Sequence, residues 1–110
     1  MLAVEEINAK GGVLGREIRP EIYDGASRPE KFAECAKRIL RTECRTIFGC
    51  WTSSARKAVR PVVEGAGGIL WYPVQNEGLE ESPNIVYTGS CPNQQMIPAL
   101  DWLSENAGNR

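Results

Sequence analysis

The stretch Gly49-Cys50-Trp51-Thr52-Ser53-Ser54-Ala55-Arg56-Lys57 decides how this chain is interpreted. It follows Thr46–Phe48, which is predicted to be a buried strand, and it opens a helix at Ser53 or Ser54. A helix start leaves backbone N–H groups unpaired and carries partial positive charge. At the carboxyl end of a strand, these donors and the indole of Trp51 predict a site for a carbonyl or carboxylate ligand. The alternative is that Ser53 is only a helix N-cap and Trp51 only a core residue.

Outward from this stretch, hydrophobic periodicity predicts alternating helices and strands. The predicted helices are Met1–Ala9, Pro29–Thr42, Ser54–Glu64 and Asn93–Asn106. The predicted strands are Glu17–Tyr23, Arg45–Cys50, Gly68–Tyr72 and Asn84–Thr88. This alternation is typical of an α/β fold with a mostly parallel sheet.

Three further predictions concern where these elements lie in the fold. Pro20 has no backbone N–H to donate to a neighbouring strand, so the strand Glu17–Tyr23 is expected at a sheet edge. The strand Arg45–Cys50 has little alternation of polarity and is expected to be buried on both faces. In the last helix we expect four apolar residues to point inward. They are Met96, Ile97, Leu100 and Leu103.

A second candidate loop, Trp71–Gly78, follows the third predicted strand. In a parallel sheet its start lies beside the end of the Arg45–Cys50 strand, so both loops should face one crevice. Tyr72 can stack on a flat ligand, although Trp71 and Tyr72 can also be core residues on alternate faces. The predicted ligand-binding residues are Trp51, Thr52, Ser53, Tyr72, Pro73 and Val74.

Charged residues flank both loops. Glu77, Glu80 and Glu81 have no matching donor at an obvious spacing and are expected to form a solvated surface. Arg56 and Lys57 oppose the dipole of the helix they begin, which predicts a partner or a structural role for them.

Composition excludes several classes of function. The 110 residues carry a formal net charge of −1 and no basic block, so nucleic-acid binding is not expected. No apolar run is long enough to span a membrane, and the amino end does not show the pattern expected of an export signal, a charged start followed by an apolar stretch and a small-residue cleavage site. The chain has no histidine, so it cannot build a Ser-His or Cys-His catalytic pair. We therefore expect a protein that is not an enzyme.

The four cysteines are Cys35, Cys44, Cys50 and Cys91. No two of them have the CxxC spacing of a zinc or thioredoxin-like motif. Neither a metal site nor a cofactor is therefore predicted. Buried free thiols are expected, and a disulfide in an oxidising compartment stays an alternative whose pairing the sequence cannot assign. A small α/β enzyme with Cys50 or Ser53 as nucleophile is a further alternative, because a helix start can lower the pKa of Cys50.

Several segments together resemble the amino-terminal lobe of a type I periplasmic solute-binding protein. The similarity is greatest to the urea and short-chain amide branch of the branched-chain amino-acid receptor family. It covers about Leu2 to Leu103. The segments that carry it are Ala3–Arg16, Gly49–Ser53 with Arg56–Val59, Tyr72–Gln75, Glu77–Glu80, Ser82–Gly89 and Pro92–Gln95.

The resemblance implies a three-layer α/β lobe, residues 1–110, of a receptor that closes on urea, a short-chain amide or a branched-chain amino acid. It matches family ligand contacts to Trp51, Ser53, Tyr72 and Val74. It also implies a periplasmic or other extracytoplasmic location and delivery to the membrane permease of an ABC transporter. A cytoplasmic amide-sensing regulator of the same fold is the alternative.

The chain departs from the family pattern in three respects. The first strand and the second lobe of the family are expected to be absent, which makes the lobe incomplete. Asn76 stands where the urea-binding branch is usually aromatic. Without the first strand, unpaired strand edges are expected to recruit a second copy and form a homo-oligomer.

Overall fold

The alternation of helices and strands that the sequence predicts is present in a computed structural model, which describes residues 1–107. The strands of the described part are β1 (Thr46–Phe48), β2 (Ile69–Tyr72) and β3 (Ile85–Tyr87). The helices are α1 (Leu2–Ala9), α2 (Pro29–Leu40), α3 (Ser53–Ala66) and α4 (Pro92–Asn106). The predicted α/β class is confirmed, and each predicted helix is found within a few residues of its expected bounds.

The three strands form one parallel sheet in the order β1-β2-β3. Ile47 pairs with Leu70, and Leu70 pairs with Ile85. This order makes β1 an edge strand within residues 1–107, with its side chains exposed or half-buried, and Phe48 is 76% exposed. The prediction that this strand is buried on both faces is therefore wrong, because burial depends on neighbours that a local pattern does not report.

Residues 17–23 form no strand, so the predicted edge strand is also wrong. None of the described strands pairs with this segment. Its start is held by Asn8 of α1, whose side chain donates to the carbonyl of Ile18 and accepts from its N–H, both at 2.8 Å. Alternating polarity alone does not make a strand without a ladder partner.

The core lies on one face of the sheet, under α2 and α3. Leu70 and Tyr72 of β2 point into it, whereas Ile69 and Trp71 point to the opposite, more exposed face. On that face the rings of Phe48 and Trp71 stack with centroids 5.9 Å apart. The buried apolar residues are Ala36, Leu40, Cys50, Ala55, Val59, Val63, Leu70, Tyr72 and Ile85.

Helix α4 contributes no buried residue, so the prediction that its apolar side points inward is wrong. Its apolar side chains are about half exposed or more. The radius of gyration is 17.9 Å, against about 13 Å for a compact domain of this size. A pattern of apolar residues indicates a face that needs covering, but not whether the described part of the chain covers it. The apolar residues of α4 that were predicted to point inward are Met96 (59% exposed), Ile97 (55%), Leu100 (59%) and Leu103 (47%).

Within residues 1–107, no helix is both long and apolar enough to cross a membrane.

Candidate functional site

A crevice of about 470 Å³ lies where the carboxyl ends of β1 and β2 meet the starts of α3 and α4. The structure brings together there five of the six residues that the sequence predicts as ligand contacts, and Pro73 is exposed and outside the lining. Both predicted loops thus open on the same edge of the sheet, as the parallel topology requires. The lining residues are Trp51, Thr52, Ser53, Tyr72, Val74, Gln75, Asn76, Glu77, Pro92, Gln95 and Met96.

Helix α3 begins on this crevice. Thr52 is its N-cap, and the Thr52 hydroxyl accepts from the N–H of Ala55 at 3.2 Å. Ser53 is therefore the first helical residue, and the alternative that Ser53 is the N-cap is wrong. A helix start has several free N–H groups, and Thr52 satisfies only one of them, so the start of α3 keeps donors and partial positive charge beside the crevice.

The two aromatic residues of the predicted site have different environments. Trp51 is 77% exposed, so it is not the core residue of the alternative interpretation, and its ring is accessible at the rim. Tyr72 is 1% exposed, and the guanidinium carbon of Arg56 lies 4.7 Å from the centre of its ring. Arg56 therefore already occupies a face of Tyr72, which leaves Trp51 as the better surface for stacking.

The buried cation behind Tyr72 is the main feature that the sequence did not predict in detail. Arg56 is 1% exposed, and its guanidinium donates to Glu80 at 2.8 Å and to Glu77 at 3.0 Å. It also lies 5.8 Å from the ring centre of Tyr87. The prediction that these glutamates lack a donor is wrong for Glu77 and Glu80, since Arg56 donates to both. The predicted solvated surface is found at the exposed Glu77 but not at Glu80, which is half-buried. Arg56 has the structural role that its position opposing the helix dipole suggested.

The same contacts set the charges of the cluster. Burial is the largest single influence on both groups, and alone it would raise the pKa of Glu80 and lower that of Arg56. The hydrogen bonds and opposite charges around each group together outweigh burial, so the pKa of Glu80 is lowered and that of Arg56 is raised. The pKa of Glu77 falls to about 2, through hydrogen bonds from Ser53, from backbone and from Arg56. Burial, and then the hydrogen bond to Glu80, raise the pKa of Tyr87 to about 12. At neutral pH one cation thus faces two carboxylates.

Ser53 is held in one hydrogen-bonding state by this cluster. Its hydroxyl contacts Glu77 Oε1, and because an ionised carboxylate can only accept, Ser53 is the donor. Arg56 Nη1 lies 3.4 Å from the same hydroxyl oxygen. With its proton committed to Glu77, Ser53 can offer a ligand only a lone pair.

Asn76 also lines the crevice, although it was not among the predicted ligand contacts. It is 8% exposed, and its backbone N–H donates to the carbonyl of Ser90 at 3.1 Å. Its side-chain oxygen accepts from the N–H of Gly78 at 2.9 Å. Its side-chain nitrogen is buried and has no acceptor within residues 1–107. The only feature of the sequence that singled out Asn76 is that it is polar at a position where the urea-binding branch usually has an aromatic residue.

Cys50 is buried at the end of β1, where burial raises the pKa of its thiol to about 11. The expectation that the helix start lowers this pKa is wrong, because desolvation outweighs the nearby charge of Arg56. The four cysteines are free in this structure. Within the described residues, no group of three or more Cys, Asp or Glu side chains is placed to hold a metal ion.

We expect Cys50 to react more slowly with iodoacetamide at pH 7.5 than the half-buried Cys35, Cys44 and Cys91, because only the thiolate is nucleophilic. Peptide mapping by mass spectrometry after a short exposure measures this order. The same reaction in urea provides the control, since unfolding should remove the difference. Preferential labelling of Cys50 in the folded chain would contradict the assigned environment and support a reactive thiol.

We expect acid to destabilise the fold through Glu77. Its folded-state pKa of about 2 lies below the ordinary value of 4.5, so its ionised form stabilises the fold above pH 4.5 and that contribution is lost as the pH falls toward 2. Urea unfolding between pH 2 and 7, followed by circular dichroism, measures the slope. Glu77→Gln should flatten it, whereas Glu81→Gln, at an exposed position, should leave it unchanged. Equal slopes in all three chains would refute the assignment.

Comparison with protein families matches residues 1–110 to the periplasmic binding protein domain. Among individual relatives, the Leu/Ile/Val-binding protein BraC3 of Rhizobium johnstonii is 32% identical over 110 residues, which covers 94% of this chain and 29% of that protein. The Leu/Ile/Val-binding protein homolog 7 of Brucella abortus is 34% identical over 85 residues, covering 72% of this chain and 21% of the relative.

The Leu/Ile/Val-binding protein of Escherichia coli is 28% identical over 71 residues, covering 64% of this chain and 19% of that protein. The chain therefore spans less than a third of the length of these curated relatives. These names support the type I, Leu/Ile/Val-binding part of the resemblance and do not single out the urea and amide branch.

Proposed function

Since this chain belongs to the periplasmic binding protein domain family, we propose that residues 1–110 are part of the amino-terminal lobe of a solute-binding protein. Its ligand is a small polar molecule: urea, a short-chain amide or a branched-chain amino acid. The lobe performs no chemistry. It holds one side of the ligand by helix-start donors, polar side chains and an aromatic wall, and the opposite side of the ligand would be held by a second lobe.

The observation that carries this proposal is the crevice at the carboxyl ends of β1 and β2. Ligands of open α/β sheets bind at this edge, where loops and helix starts converge. Here the loops supply an exposed indole from Trp51, a hydroxyl oxygen from Ser53 and an amide from Asn76. The crevice is open on one side, which fits a lobe that contacts only part of a ligand's surface.

The ligand classes have two sources of support. Leu/Ile/Val-binding relatives favour an amino acid. The resemblance of the loops Gly49–Ser53 and Tyr72–Gln75 favours urea or a short-chain amide. In either case the ligand would be delivered to the membrane permease of an ABC transporter, outside the cytoplasmic membrane.

Saturation-transfer NMR with urea, acetamide and L-leucine tests the proposal, because it detects the weak binding expected of a single lobe. We expect transfer to at least one of the three ligands, and a loss of that transfer in Trp51→Ala. Phe48→Ala provides the matched control, since Phe48 is also exposed but lies outside the crevice. No transfer to any ligand at millimolar concentration, or equal transfer in both variants, would contradict the proposal.

We also propose that the chain self-associates through β1. The carbonyl of Arg45 and the N–H of Gly49 form hydrogen bonds with β2. Because hydrogen-bonding direction alternates along a strand, the backbone N–H and C=O groups of Thr46 and Phe48 face the free edge of β1. The stacked rings of Phe48 and Trp71 continue this edge as an apolar surface. An unpaired edge beside exposed aromatics favours pairing with a second copy.

Sedimentation velocity over a range of concentrations measures this association. We expect a concentration-dependent dimer, and a shift toward monomer in Phe48→Lys, because a charge on an edge strand opposes pairing. Leu14→Lys adds the same charge at a residue that is 96% exposed and outside the sheet, and should leave the dimer intact. A monomer at every concentration would refute the proposal.

A further inference from the structure

The side-chain nitrogen of Asn76 is a donor for which residues 1–107 supply no acceptor. The residue is 8% exposed, and it lines the crevice beside Ser53 and Glu77. Leaving a buried amide N–H unpaired costs free energy, so folded proteins keep few such groups, and each of them needs an explanation. An acceptor that enters the crevice with a ligand is such an explanation.

The orientation of this amide is fixed by the protein. The N–H of Gly78 donates to Asn76 Oδ1 at 2.9 Å, and the thiol of Cys91 lies 3.4 Å from the same atom. A backbone N–H cannot face an NH₂ group, so the assignment of oxygen and nitrogen cannot be exchanged. The amide therefore cannot turn to satisfy its nitrogen without breaking the bond to Gly78.

Ser53 provides the complementary group. Its proton is donated to Glu77, so it presents an acceptor to a ligand. Asn76, with a buried donor, and Ser53, with a hydroxyl acceptor, both line the crevice. A group that carries a C=O and an N–H₂ side by side can satisfy both.

Charge favours a neutral group of this kind over a carboxylate. Glu77 is the only charged residue that lines the crevice in the described part of the chain. The cation behind it, Arg56, is already shared between Glu77 and Glu80, so this cluster carries a net charge of one carboxylate. A second carboxylate beside it would be repelled, whereas an amide or urea would not.

We propose that Asn76 is a ligand-binding residue, whose Nδ2–H donates to the carbonyl oxygen of a neutral carboxamide or urea while Ser53 accepts from the N–H₂ of the same ligand. This inference rests on the proposed function. It deepens that function by assigning the residue that selects the ligand class.

The test follows the side-chain NH₂ signals of Asn76 in ¹⁵N spectra of the 110-residue chain during titration with acetamide and with acetate, which have nearly the same size and differ in charge. We expect a saturable shift of these signals with acetamide, and at least tenfold weaker binding of acetate. Asn76→Asp removes the donor but keeps the oxygen that accepts from Gly78, and should weaken acetamide binding at least tenfold. Asn93→Asp makes the same chemical change at an exposed residue outside the crevice lining, and should change binding less than twofold.

The outcomes separate the inference from the function on which it rests. If acetamide shifts the signals of Trp51 and Ser53 but not the Asn76 NH₂, the role of Asn76 is overturned and the proposed function stands. Equal or tighter binding of acetate overturns the selection for a neutral group. If neither these ligands nor urea or L-leucine shifts any crevice signal, the proposed function fails together with the inference.

Discussion

Replacing Arg56 with methionine should destabilise the fold by about 3–5 kcal/mol, the usual loss when one partner of a buried ion pair is removed. Arg56 is 1% exposed, and the Glu80 side chain that it contacts is 13% exposed. Methionine keeps most of the side-chain volume but leaves the Glu80 carboxylate without its cation. It also removes the guanidinium from the rings of Tyr72 and Tyr87. Urea unfolding at pH 7, followed by circular dichroism, measures the loss.

Two further variants identify the cause of that loss. Arg56→Lys keeps the charge but not the planar fork that reaches Glu77 and Glu80 together, so we expect an intermediate loss. Arg60→Met removes the partner of Glu64 one turn later in α3, at a position where the side chain is 37% exposed, and should have a much smaller effect. If the methionine variants at 56 and 60 were equally stable, the buried cluster would not be the stabilising feature described above.

Gly89→Ala should also destabilise the fold, by about 1–3 kcal/mol or more, as expected for a steric overlap in a packed region. A Cβ at this position would lie 2.0 Å from the carbonyl oxygen of Val74 and 2.2 Å from its carbonyl carbon. Both are backbone atoms, so no side chain can rotate away. The segment Val74–Gln75 would have to move, and this segment lines the crevice.

The effect should extend to ligand binding. Gly89 approaches Val74 next to the hydrogen bond from the Asn76 N–H to the carbonyl of Ser90. Moving the backbone at Val74 should therefore also disturb that hydrogen bond and the position of Asn76. Gly65→Ala is the matched control, because no atom lies within 4 Å of its added Cβ. Alanine is favoured over glycine within a helix by roughly 0.5–1 kcal/mol, so this variant should be slightly more stable. Equal stability of the two alanine variants would show that the approach of Gly89 to Val74 is not tight.

Local patterns predicted the regular elements of this chain well. The helix at Pro29–Leu40 follows from an apolar stripe and a proline at its first position. The start of α3 follows from the polar stretch after Phe48. These features depend on residues that are close in sequence, and the position of the crevice follows from them, because parallel strands bring both loops to one edge.

The errors concern contacts between distant segments. Residues 17–23 have a strand-like pattern but no ladder partner among the described strands. The apolar side of α4 predicted a core position, yet the helix contributes no buried residue. Periodicity reports which face of an element is apolar, and only the tertiary structure decides what covers it.

The sequence predicted where the crevice lies but not the charges around it. Arg56 and Glu80 are 24 residues apart in sequence, and nothing in their local spacing connects them. Their pairing explains two observations that sequence analysis kept apart: a cation that opposes a helix dipole, and glutamates without a donor. The role that we propose for Asn76 has no signal in the sequence, because it depends on the hydrogen bond from Gly78, which only a folded loop can form.

The central claim is that the bends around Ser53 and Tyr72 form one ligand-binding rim. Mapping of backbone amide shifts during titration with urea, acetamide and L-leucine tests it most directly. We predict that the largest shifts fall on 51–55 and 72–76. Shifts that cluster instead around the apolar cavity between α2 and β1, lined by Phe32, Ile39 and Ile47, would contradict the claim, as would shifts confined to one of the two bends.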